Sequence, residues 1–263
     1  MILLFIIGLL CLQPTTSSIT PSNETDRLAL LKFKESIDND RYGIFSSWND
    51  SIQFCNWYGI TCGRRHQRVT TLKLQGHKLH GTITPYIGNL TFLRKINLQN
   101  NSFCGEIPKE VSYLFRLQHL NLSNNTLGGE ILASLSNCFE LGVMVIFVNK
   151  LIGKIPLELG SLTKLHVLGI GRNNLTGGIP PSLGNLSSFT FLLVAGNNLE
   201  GNIPQSIGHL KSLEGLSVGG NKLTGMIPSS LYNISSIKAL SFPICQLIGT
   251  IPTNIGLTLP NLK

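Results

Sequence analysis

A period of 24 residues constrains this chain more than any other feature. In Leu165–Leu186, which reads LHVLGIGRNNLTGGIPPSLGNL, Asn173 is followed by Gly177, Ile179 and Pro180. Shifting the stretch by 24 residues in either direction returns the same pattern. The asparagine position is held in turn by His77, Asn101, Asn125, Asn149, Asn173, Asn197, Asn221 and Cys245. Glycine recurs from Gly81 to Gly249 and isoleucine from Ile83 to Ile251 in the same steps. Proline follows the isoleucine at Pro108, Pro156, Pro180, Pro204, Pro228 and Pro252, with Thr84 and Leu132 in its place in units one and three. Eight units in one register make a stack of equivalent coils, each burying its apolar face only against its neighbours.

Inside each unit runs L-x-x-L-x-L-x-x-N/C-x-L, as Leu93, Ile96, Leu98, Asn101 and Phe103 in unit two and Leu165, Leu168, Ile170, Asn173 and Leu175 in unit five. This is the signature of a leucine-rich-repeat solenoid. The two-residue spacing of Leu-x-Leu puts those side chains on one face of a short strand and their neighbours in water. Stacked strands predict a parallel concave sheet, and at about 4.8 Å per strand eight units span roughly 40 Å. A buried asparagine amide survives only with partners, which backbone groups of its own and adjacent coils can supply. Cys245 gives up most of that bonding, and His77 is bulkier, a departure that an edge coil tolerates. Glycine permits backbone angles that strain other residues, and proline on the outer side removes an N–H. The fold class is therefore an α/β repeat solenoid.

The chain opens on an apolar run, Met1–Leu12, followed by Pro14 and the small polar Thr15–Ser18. That run is too short to span a membrane and has the build of a secretory signal peptide over residues 1–18; a buried N-terminal helix is the alternative. Residues 19–66 precede the period and read as a cap. Thr25 and Asp26 suit a helix start, and Leu28, Leu31, Phe33 and Ile37 give it an apolar face through Ser36. Trp48, Trp57 and the close pair Cys55 and Cys62 follow. In a secreted chain the two cysteines read as a disulfide, closing a loop for roughly 2.5 kcal/mol in the chain-entropy model. A zinc site needs two more ligands, and only His66 offers itself nearby. The repeats then occupy 67–259, and 260–263 open a ninth unit.

The residues DRLALLKFK (Asp26–Lys34), SSWN (Ser46–Asn49) and CNWYGITC (Cys55–Cys62), with L-x-x-N-x-L-x-G-x-I-P in nearly every unit, carry a resemblance. Over essentially its whole length the chain resembles the extracellular region of plant leucine-rich-repeat receptor-like kinases and receptor-like proteins. Ser241–Lys263 is similar to the subfamily of immune receptors that sense microbial peptides. The resemblance implies a plant-type solenoid with a disulfide-stapled helical cap and a peptide or protein ligand. It also implies a possible leucine-rich-repeat co-receptor, in immune or developmental signalling. It places the chain on the extracellular side of the plasma membrane, anchored through a segment beyond Lys263. No polar cap follows unit eight, so the sequence reads as an incomplete ectodomain. A secreted binding protein of the polygalacturonase-inhibitor type is the runner-up, and a soluble decoy fragment the third reading.

Enzyme motifs are absent: there is no H-E-x-x-H, G-x-S-x-G or P-loop, and none of the kinase signatures V-A-I-K, H-R-D or D-F-G. The expectation is no catalytic residue, cofactor or metal. Cys11 lies in the signal, Cys138 takes the place of Leu114 and Leu162 as a small buried hydrophobe, and Cys104 and Cys245 are too far apart to pair. The formal net charge of +8 is concentrated between Ile60 and Asn100, where Arg64, Arg65, Arg68, Lys73, Lys78, Arg94 and Lys95 stand without an Asp or Glu. In a secreted protein such a patch points to an acidic polysaccharide, an acidic partner or a solvated face rather than nucleic acid.

Nine glycosylation sequons begin at Asn23, Asn49, Asn89, Asn100, Asn121, Asn124, Asn174, Asn185 and Asn233. Asn89, Asn185 and Asn233 share an outer or lateral phase, while Asn100, Asn121 and Asn124 fall on or beside the concave strands of units two and three. The water-facing strand positions change character along the stack. Units one to three offer Lys73, Lys95, Asn97, His119 and Asn121; units four to six offer Val143, Val145, Phe147, Val167, Phe191 and Leu193. Units seven and eight return to small residues, Gly215, Ser217, Ala239 and Ser241. Apolar side chains on an exposed face across three consecutive units form a candidate docking patch for a peptide or protein, steered by the basic end. Drifted residues, or a surface covered by another part of the protein, would give the same pattern.

Overall fold

The computed structural model describes residues 23–263. The expected signal peptide and Cys11 lie outside the described residues. The eight Leu-x-Leu segments form short strands, from Val69–Lys73 through Lys95–Asn97, His119–Asn121, Val143–Val145, Val167–Gly169, Phe191–Leu193 and Gly215–Ser217 to Ala239–Ser241. They pair in parallel and in sequence order, each residue opposite its counterpart one period away, as Val143 opposite Val167. A ninth strand, Ile60–Cys62, belongs to the cap and pairs antiparallel with the first. On the opposite side of units one to seven runs a short 3₁₀ turn, which the proline starts in five of them, for example Pro181–Asn185 after Pro180. There its fixed φ suits the turn and its missing N–H costs no ladder bond. Between sheet and turns lies one continuous core of leucine, isoleucine, valine and phenylalanine.

The asparagine position is the hydrogen-bonding joint between coils. The Asn173 amide donates to Ile170 O of its own coil at 3.0 Å and Ile146 O of the preceding coil at 3.2 Å. Its Oδ1 accepts from Leu151 N–H at 3.0 Å. The same triangle recurs at Asn101, Asn125, Asn149, Asn197 and Asn221. At Cys245 the thiol still reaches Val218 O at 3.5 Å but brings no oxygen to accept a bond. His77 instead turns to the cap, its Nε2 lying 3.0 Å from the Tyr58 hydroxyl.

One residue earlier, every coil turns through the left-handed region. Gly76, Asn100, Asn124, Val148, Arg172, Gly196, Gly220 and Ile244 have φ between 51° and 80°. Glycine and asparagine adopt that conformation readily, and β-branched Val148 and Ile244 do so only at a cost. A second feature went unread in the sequence. The G-x-I-P side carries its own short parallel ladders, Lys222–Met226 beside Gln246–Ile248 among them, with single bridges such as Lys154 to Thr176 in the middle units. Its strands are too short and glycine-rich to give a period-2 signal.

The cap corrects two expectations. Its helix runs Asn23–Glu35, but the buried positions are Asp26, Ala29, Leu30 and Phe33, spaced as one helical face, while Leu28 is 53% exposed. Asp26 is buried because it is an anchor rather than a helix start. It accepts from Arg68 Nε at 3.0 Å and Nη2 at 2.6 Å, and from Val69 N–H at 2.7 Å. Arg68 is thus buried and paired, and drops out of the basic surface to which the sequence assigned it. Trp48 and Trp57 stack at 5.2 Å, and Phe33 meets Phe103 at 6.0 Å, joining cap to repeats. Cys55 and Cys62 form the disulfide, with Cα atoms 5.4 Å apart. Cys104, Cys138 and Cys245 are free thiols, and burial pushes that of Cys138 up to about 12.

Two substitutions test this account of the coil. Asn173→Ala leaves a buried N–H and two carbonyls short of a partner and is expected to destabilise by about 3 kcal/mol in urea unfolding. A loss below about 0.5 kcal/mol would show the ladder to be dispensable. Val148→Asn relieves the left-handed strain and is expected to stabilise by about 1 kcal/mol, with a matching rise in Tm.

Candidate functional site

Because the strands are in exact one-period register, the concave face is a grid of rows. One row runs Lys95, His119, Val143, Val167, Phe191 and Gly215. The next runs Asn97, Asn121, Val145, Gly169, Leu193 and Ser217. Phe147, Gly171 and Ala195 occupy a third row, at the strand ends. The structure brings all eight candidate residues onto this one face, but they are not equally exposed.

Val143, Val145, Val167 and Phe191 are half-buried, not water-facing as expected. For Val145 and Phe191 the reason is a glycine one strand away that leaves room to lie down. A Cβ added to Gly215 would come within 2.7 Å of the Phe191 ring, and one added to Gly169 within 3.2 Å of Val145 Cγ1. Only Phe147, at 42% exposed, and Leu193, at 39%, rise from this floor. Between them Gly169 and Gly171 contribute no side chain, and a cavity of about 250 Å³ opens, completed by Ala195, Ser217 and Arg172. Sequence reasoning missed Gly169, Gly171 and Arg172. The signal was there: two glycines in adjacent rows of unit five, flanked one period away on either side by Phe147 and Leu193.

The N-terminal part of the same face is polar and internally bonded. The Asn121 amide donates to Gln99 Oε1, and that of Asn124 to Asn100 Oδ1 at 2.9 Å. Asn121 is half-buried, whereas the other eight sequon asparagines are exposed. Burial, aided by the charges of Lys95 and His166, lowers the His119 pKa, so His119 is neutral at pH 7 and the positive charge here belongs to lysine and arginine. Lys95 is fully at the surface, at the basic edge of the row. Among the described residues no cluster of three or more His, Cys, Asp or Glu is placed to hold a metal.

The fold that carries these rows is that of a known group of proteins. The model described as Leucine rich repeat N-terminal domain matches residues 23–63, and Leucine Rich Repeat matches 92–114, 116–138, 164–186 and 212–234. The ectodomain of BIR2 from Arabidopsis thaliana is 31% identical, with a TM-score of 0.61 over 66% of this chain and 93% of that one. This chain belongs to the plant leucine-rich-repeat receptor ectodomains. The Arabidopsis receptor kinase HAESA, solved with the peptide hormone IDA and the co-receptor SERK1, is 28% identical with a TM-score of 0.74, over 91% of this chain and 44% of that one. The LRR receptor-like serine/threonine-protein kinase EFR of Arabidopsis thaliana is 56% identical over 78 residues, which are 29% of this chain and 8% of the relative's length. The chain thus spans a minor part of such receptors. The described residues form a leucine-rich-repeat solenoid, a non-catalytic fold. No helix among the described residues is long and apolar enough to cross a membrane.

Proposed function

We propose that this chain is the ligand-recognition part of a plant receptor, exported through the secretory pathway and glycosylated at its exposed sequons. A peptide or the extended segment of a protein lies along the concave rows of units three to six. The observation that carries this reading is the cavity walled by Phe147 and Leu193 over a glycine floor. It is a mostly apolar recess with one cation, Arg172, at its rim. A site of this kind takes one apolar side chain as an anchor while polar groups around it fix direction. An extended peptide crossing the strands runs along the rows, meets one unit about every 4.8 Å and turns alternate side chains toward the face. The ligand-bound ectodomains among its relatives support a peptide partner and a second leucine-rich-repeat chain as co-receptor. Immune or developmental signalling through a kinase belongs to the same proposal.

Selection of a random twelve-residue peptide library on the glycosylated protein tests the docking face without a known ligand. Gly169→Val fills the floor and Leu193→Asp removes a wall and adds a charge. Enriched peptides are expected to lose at least tenfold in affinity to either variant, while Leu157→Asp, on the exposed outer turn, leaves binding unchanged. Peptides that bind both concave variants as tightly as wild type would overturn the assignment.

A further inference from the structure

Beside the first strands, on the flank of the sheet, lies a larger cleft of about 560 Å³. Arg64 and Arg65 reach it from the cap, and Arg94, Lys95 and Arg116 from units two and three, around Phe92. No aspartate or glutamate lines it. Arg68 also borders the cleft but is neutralised by Asp26, so five cations face one space with no acidic side chain among them. Like charges held this close raise the free energy of the empty cleft, which an anion relieves.

We infer that this cleft binds an acidic segment of the peptide ligand, as an electrostatic subsite of the concave docking face proposed above. Three observations select a carboxylate-bearing peptide. The Arg116 guanidinium is held over the Phe92 ring at 4.4 Å and near Phe115 at 5.5 Å, so its donor fork is fixed before any ligand arrives. A fixed fork suits the planar, two-oxygen geometry of a carboxylate. The Phe92 ring carries two guanidiniums, the second being Arg68 at 4.6 Å, and so lacks the open aromatic face on which a sugar ring stacks. Finally, the cleft shares Thr71 and Lys95 with the first row of the concave sheet, so one chain can occupy both sites.

The strand spacing turns this into a ruler. Phe147 stands two units and Leu193 four units beyond Lys95, or about 10 and 20 Å. An extended chain at about 3.3 Å per residue covers those distances in roughly three to six residues. The ligand therefore carries an acidic run three to six residues from its apolar anchor. Such a run also explains why the cations cluster at one end of the face, since long-range attraction speeds capture before the apolar side chain seats.

Hexa-aspartate, titrated calorimetrically against the protein, isolates the cleft from the concave pocket. Saturable binding is expected at low salt and weakens as salt rises. Arg64→Glu combined with Arg65→Glu, both on an exposed loop, is expected to weaken it at least tenfold, and Gly169→Val to leave it unchanged. Library peptides are expected to show the acid-to-anchor spacing. The inference is overturned if wild type binds no hexa-aspartate, if the double variant binds equally, or if hexagalacturonate binds more tightly, which would assign the cleft to an acidic saccharide. In each of those cases library peptides still sensitive to Gly169→Val keep the concave reading. Loss of that sensitivity with hexa-aspartate binding intact removes the concave reading alone.

Discussion

One asparagine amide in each of the six middle coils holds this solenoid together. Each asparagine of the ladder ties a carbonyl of its own coil, a carbonyl of the coil before and an N–H of the coil before into one set of bonds. Leucine packing alone would let adjacent coils slide or rotate, because apolar contact is non-directional. The amide supplies direction, and an unmet bond in the core costs more than a met one gains. Repeated six times, it fixes the one-period register of the sheet. The grid of concave rows exists only because of that register.

With the inner positions committed to the core and the joint, the outward strand positions are the ones free to carry recognition. Two of them in unit five are glycine, and their neighbours exploit the space: Val145 and Phe191 lie flat while Phe147 and Leu193 stand. The N-terminal end is held by a different device. Asp26 and Arg68, both buried, join the cap helix to the first strand. Removing either charge would strand the other in the core, a loss of about 3–5 kcal/mol by comparison with other buried pairs. That pairing also withdraws one arginine from the surface, so the basic cleft is narrower in its membership than the charge count implies.

What the sequence made legible follows from what repeats. Period, strand direction, core positions, the asparagine joint and the outer prolines each recur many times, so each was readable from pattern alone. Features that occur once were harder. Leu28 faces water and Asp26 the core because the cap helix meets a single partner surface, which no periodicity announces. Val145 and Phe191 fall on the expected face, but their partial burial depends on a missing Cβ one strand away, a three-dimensional neighbour relation. The floor of Gly169 and Gly171 escaped for the same reason: an absent side chain marks a site only once the walls beside it are known. The flanking cleft needed the cap loop folded against units two and three before Arg64 and Arg94 could share one space.

The central claim is that recognition takes place on the concave rows of units three to six. A photoreactive benzophenone amino acid placed at Val145, within that face, and separately at Leu157, on the outer turn, tests it most directly. Irradiation with a library-selected peptide, followed by mass spectrometry, is predicted to give a covalent adduct at position 145 and none at 157. An adduct at 157 without one at 145 would contradict the account.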